Sequence, residues 1–118
     1  MPFTVTQPLG RLPTFAELQE LAGQHGVHIA GNEQAGSFCY PDPQQPSVKG
    51  NYTFESDGDF HGSFAGQMAG KLAGSFAVTT GRAEITITEK PFLMPEAILK
   101  SKLSEALKVF CLRFSPEG

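Results

Sequence analysis

Residues 58–89, GDFHGSFAGQMAGKLAGSFAVTTGRAEITITE, decide what this chain folds into. Gly58, Gly62, Gly66, Gly70 and Gly74 recur at every fourth position, with Phe60, Phe64, Met68, Leu72 and Phe76 midway between them. A period of four is two strand repeats and also close to one helical turn, so two structures compete. A helix would present the small-xxx-small surface that packs membrane helices. It would also put glycines through a helix interior, each about 1 kcal/mol worse than alanine. Asp59, His61, Gln67 and Lys71 would interrupt any lipid-facing side. As strands, Phe60, Phe64, Met68, Leu72, Phe76 and Val78 share one face, while Asp59, His61, Ser63, Gln67, Lys71 and Ser75 take the other. The strand reading is preferred. A single strand over 60–78 would run about 60 Å at about 3.3 Å per residue, too long for one small domain. A break is therefore expected within 66–70. The glycines are expected to relieve crowding, so that the sheet can twist or a helix can sit close on the aromatic face.

Working outward, Asp57-Gly58 is a hairpin turn signal and 48–56 has strand character. Residues 83–89, AEITITE, alternate strictly and follow the turn-like Thr80-Gly81, and Lys90-Pro91 ends that strand. Pro95 suits a first helical turn. Ile98, Leu99, Leu103, Ala106, Leu107 and Phe110 then form a stripe over 96–111, with Lys100, Ser101, Ser104 and Lys108 outward. Upstream, 3–6 alternates as a short strand. Thr14 and Glu17 form a capping box, followed by Phe15, Leu18, Leu21 and Ala22 at helical spacing and by Gly26 as a C-terminal cap. That predicts a helix over 15–25. Residues 27–30 and 37–40 read as short strands around the turn-prone Gly31-Asn32. The stretch 41–46, PDPQQP, reads as an extended loop because proline cannot donate to a ladder. The end, 115–118, is expected to fray.

The chain of 118 residues, 40% hydrophobic, fits one α+β domain over 1–118: an antiparallel meander of about five to seven strands with an N-terminal and a C-terminal helix on one face. Ten Phe and no Trp make a phenylalanine-rich core. A charge of −3 with scattered Lys and Arg argues against a nucleic-acid partner. No stretch approaches the roughly 20 apolar residues that span a bilayer, and the start lacks a signal-peptide pattern. A cytoplasmic location is therefore expected, with Cys39 and Cys111 as two buried thiols rather than a disulfide.

No catalytic pattern stands out. Residues 66–72, GQMAGKL, resemble a phosphate-binding loop, but the glycines are too close and Leu72 replaces the magnesium-holding hydroxyl. His25, His28, Cys39 and His61 make a zinc site conceivable without any spacing that demands one. Asp57 and Asp59 flank a turn glycine, which is ordinary turn chemistry. A small enzyme would need His61, Asp59 and Cys39 to converge in one cleft. No metal or cofactor is expected.

Residues 72–78 (LAGSFAV), Gly81, the 85–88 strand ITIT, Lys90-Pro91-Phe92-Leu93 and the following helix resemble, in layout, the polyhydroxyalkanoic acid system protein family of small bacterial proteins. The resemblance implies a helix, a meander and a closing helix. It brings no catalytic residues, and it implies association with storage granules or other hydrophobic surfaces.

The functional expectation is a non-enzymatic module that binds a hydrophobic ligand or surface, with Phe60, Phe64, Met68, Leu72 and Phe76 as its candidate liners. The alternatives are a self-associating homo-oligomer using a strand edge or apolar patch, and a small enzyme with an unrecognised site.

Overall fold

Among the described residues, seven stretches with two-residue alternation become strands, and two with a helical stripe become helices. In chain order they are β1 (Phe3–Pro8), α1 (Phe15–Gln24), β2 (His28–Gly31), β3 (Ala35–Tyr40), β4 (Val48–Phe54), β5 (Phe60–Gln67), β6 (Lys71–Thr79), β7 (Arg82–Glu89) and α2 (Glu96–Arg113). The computed structural model describes residues 3–40, 44, 47–67 and 70–114. Most of the proline-rich stretch, Met68 and the 115–118 tail lie outside the described residues.

The strands form one antiparallel sheet in the order β1-β7-β6-β5-β4-β3-β2. β2 to β7 run as a continuous meander, and β1 closes the far edge beside β7. The chain therefore leaves β1 at one edge and enters β2 at the other, and α1 is the element that crosses. Both helices meet the same sheet face: Leu18 and Leu21 from α1, and Leu103, Leu107 and Cys111 from α2, gather with Val5, Phe60, Val78 and Ala83. The break expected in the glycine ladder is a hairpin. β5 ends at Gln67, β6 begins at Lys71, these two residues pair, and Gly70 takes a φ of +121°.

The register explains the period of four. On the helix-facing side, Phe76 lies opposite Gly62, which lies opposite Tyr52, which lies opposite Gly36. In the next row Gly74 faces Phe64, Phe64 faces Gly50, and Gly50 faces Phe38. Rings and glycines thus alternate in both directions like a checkerboard, and each ring lies over the glycine of the neighbouring strand. A Cβ on Gly62 would come 2.7 Å from Phe76 Cζ, and one on Gly74 would come 2.8 Å from Phe64 Cζ. The glycines serve ring-on-strand packing within the sheet, an arrangement of cross-strand pairs. A helix does not settle on them.

α2 packs along β1 and β7. It buries Leu99, Leu107 and Cys111, with Leu103 and Phe110 partly covered. Two members of the expected stripe fall outside it: Ile98 is 48% exposed and Ala106 is exposed. The buried line drifts instead onto Cys111, because α2 runs on to Arg113. Pro95 is the N-cap, one position ahead of the first turn.

α1 is fastened mainly at its ends. The capping box forms as its sequence predicts, with the Glu17 amide donating to Thr14 Oγ1 and the Thr14 amide donating to Glu17 Oε1. Arg11 adds two hydrogen bonds to the Glu17 carboxylate, at 2.9 and 2.7 Å. Its amide also donates to Phe114 O, and its guanidinium lies 5.3 Å from the Phe114 ring centre. One arginine thus ties the start of α1 to the end of α2. The Arg11 hydrogen bonds, aided by the Thr14 amide, lower the Glu17 pKa to about 2. A lowered carboxylate pKa contributes stability that is complete above the ordinary value and is lost as pH falls toward the folded one. Stability is therefore expected to drop between about pH 5 and about pH 2, and Glu17→Gln should flatten that limb in urea midpoints measured across the range. The pair is about one-third exposed, so added salt should shrink the same difference.

Candidate functional site: an apolar cavity under α1

The apolar stripe of α1 does not close on the sheet. None of its residues is buried, although Phe15, Leu18, Leu21 and Ala22 all face inward. Fastened at Arg11 and Thr14, and returned to β2 by the Val27 amide donating to Ala22 O, the helix stands off the strands beneath. Between them lies an apolar groove of about 300 Å³ that is open to solvent. The helix lines its roof, Val27 and Ile29 one side, and Phe38, Tyr52, Phe54, Phe60 and Phe76 its floor.

The floor is a set of interlocked rings. Phe54 and Phe60 stack with centres 4.8 Å apart, and Phe60 meets Phe76 edge-on at 6.3 Å. Phe15 closes the α1 start against Tyr52 and Phe54, at 5.9 and 6.1 Å. The checkerboard makes this floor smooth: Gly36, Gly50 and Gly62 let rings lie flat where side chains would otherwise rise into the space. Tyr52 directs its hydroxyl away, donating to Asn32 O at 2.8 Å, and burial raises its pKa. The cavity surface is consequently almost wholly carbon, with the exposed His25 at its rim. Such a surface recognises hydrocarbon by exclusion of water and shape, with little hydrogen-bonded selectivity.

Of the residues expected from the sequence, Phe60 and Phe76 line the cavity. Phe64 and Leu72 share their face but sit farther along β5 and β6, outside the lining; Phe64 covers Gly74. Met68 lies outside the described residues. The rest of the lining, from α1, β2, β3 and β4, went unassigned in the sequence. The apolar stripe over 15–22 was its only signal, and a stripe does not report how far a helix stands from its sheet.

The enzyme alternative loses its geometry. His61 Nε2 lies 2.9 Å from Glu55 Oε1 at the surface, and the Asp59 amide donates to Asp57 Oδ1 within the β4–β5 turn. Cys39 is two strands away, opposite His28 and Lys49, and displaced four residues along β4 from the partner of His61. The three side chains do not meet. Among the described residues no three His, Cys, Asp or Glu side chains are grouped to hold a metal ion. Of the two thiols, Cys111 is buried as expected, and burial raises its pKa, but Cys39 is only half-buried because β3 turns it to the face that neither helix covers. A depression of about 490 Å³ lies beside it, lined in part by His28 and Lys49.

Among the described residues no helix is long and apolar enough to cross a membrane. Comparison with protein-family models, with curated proteins and with solved structures finds no match for this chain.

Proposed function

We propose that the chain is a non-enzymatic binding module that takes a small hydrophobic ligand between α1 and the sheet. The observation that carries this reading is an amphipathic helix with no buried residue held over a floor of five aromatic rings. Apolar surface left facing apolar surface across a void is unfavourable in a small domain, and an apolar guest relieves it. An open apolar groove of about 300 Å³ has room for a two-ring system or a medium-length acyl chain. The almost polar-free lining suits the hydrocarbon part, and any head group would sit outside, near His25. The resemblance to proteins associated with storage granules fits the same chemistry, with an acyl side chain as the natural guest.

The test is a fluorescence titration with N-phenyl-1-naphthylamine, a two-ring apolar probe. Saturable one-to-one binding at micromolar concentration, displaced by decanoic acid, is the expected result. Absence of saturable binding by the fully folded protein would remove the proposal.

A further inference from the structure

α2 carries apolar side chains on two opposite sides. Leu99, Leu107 and Cys111 are buried toward β1 and β7. On the outer side Ile98 is 48% exposed, Val109 is 57% exposed and Leu112 is 65% exposed. At about 100° of turn per residue, Ile98, Lys102, Glu105, Val109 and Leu112 fall along one narrow line facing away from the sheet. The steps between them are 4, 3, 4 and 3 residues, the repeat of a two-stranded coiled coil. Every residue on the line is exposed. The helix thus has one apolar seam occupied by its own sheet and a second seam in solvent.

The middle of the outer seam says what fits it. Lys102 and Glu105 stand between the apolar ends, and neither has an ion-pair partner among the described residues. Read along the helix, the seam runs apolar, cation, anion, apolar, so its charge pattern reverses sign about its own midpoint. A second α2 laid antiparallel, with a two-fold axis midway between Lys102 and Glu105, sets Lys102 against the partner's Glu105 and Ile98 against the partner's Val109. A parallel pair would set lysine against lysine and glutamate against glutamate, so charge admits one orientation. A surface of a single sign would attract one of the two charges and repel the other. A polar pair in a coiled-coil seam fixes register at a cost in strength. The seam is also short, since a helix of 18 residues is about 27 Å long. Such a contact belongs with the small, weak interfaces.

We infer that the outer face of α2 is a homodimer contact, in which two copies of this chain pack α2 against α2, antiparallel about a two-fold axis. The inference stands apart from the groove beneath α1, and its test uses residues outside that lining. The full chain is followed by sedimentation equilibrium from about 1 to about 500 μM, and a monomer–dimer equilibrium with a Kd of about 10–100 μM is expected. Lys102→Glu alone and Glu105→Lys alone should each weaken it at least about tenfold, because like charges then meet in the seam. The two changes together should restore the parent Kd to within about threefold, since the exchanged charges again meet opposites. Ile98→Ser with Leu112→Ser should remove the dimer. These side chains are already in solvent, so unfolding temperatures measured on dilute protein should stay unchanged, as should naphthylamine binding. A parent chain that remains monomeric at the highest concentration overturns the inference. So does a dimer that survives in the Ile98/Leu112 variant, or a doubly exchanged chain that associates no better than either single variant.

Discussion

Gly62→Ala is expected to destabilise the domain by about 3 kcal/mol, a large share of the roughly 5–15 kcal/mol available to a small protein. Gly62 sits mid-strand in β5, between Tyr52 and Phe76 across its two neighbours. A methyl group there would overlap the Asn51 carbonyl oxygen of β4 and approach Phe76 Cζ to 2.7 Å. The ring can rotate away only by rising into the cavity, and the carbonyl can move only by breaking the β4–β5 ladder. Both responses carry a cost, and overpacking of this kind ranges from about 1 to 3 kcal/mol or more. The cost should be shared with the ring, so Phe76→Leu combined with Gly62→Ala should destabilise less than the sum of the two single changes. Urea denaturation of the four proteins measures this. Gly23→Ala supplies the contrast. Nothing lies within 4 Å of a Cβ at that α1 position, so helix propensity decides and the variant should gain up to about 1 kcal/mol. Equal effects at the two glycines would refute the ring-over-glycine account of the ladder.

Ala22→Phe is expected to abolish hydrocarbon binding while making the protein more stable. Ala22 lines the groove from α1, where a phenyl group would enter the space a guest would take. Filling unoccupied apolar space typically adds about 0.5–2 kcal/mol, and the phenyl group would occupy the space a guest needs. The affinity for the naphthylamine probe should fall at least about tenfold while the urea midpoint rises. The opposed signs matter, because a variant that merely loosens the fold would lower both. Retained probe affinity would place the binding surface elsewhere.

The sheet was legible because β-structure writes its faces into the sequence. Alternation placed Phe60, Phe64, Leu72, Phe76 and Val78 together, and the length of a strand forced the break that Gly70 makes. The capping box at Thr14 and Glu17 was equally plain, since it is local chemistry. The purpose of the glycines was not legible. It depends on which residue of the next strand lies opposite, and the pairing of Gly62 with Phe76 or of Gly50 with Phe38 exists only once the register is known. The site was half legible for a related reason. Alternation cannot separate Phe60 and Phe76 from Phe64 and Leu72, which share their face, and α1 decides which of them are roofed. Its stand-off depends on its tethers: Arg11 to Glu17 and Phe114 at one end, and Val27 to Ala22 at the other. Ile98 failed the stripe for a third reason, because an apolar residue at helical spacing is buried only where another element reaches it.

The central claim is that the groove beneath α1 is an unfilled apolar surface shaped for hydrocarbon. The most direct measurement is a crystal structure of the protein under xenon pressure, since xenon settles in unfilled apolar space. Xenon should appear among Leu18, Leu21, Phe38, Phe60 and Phe76, with α1 in place. A xenon-free structure in which Leu18 and Leu21 rest directly on the Phe60 and Phe76 rings would contradict the claim.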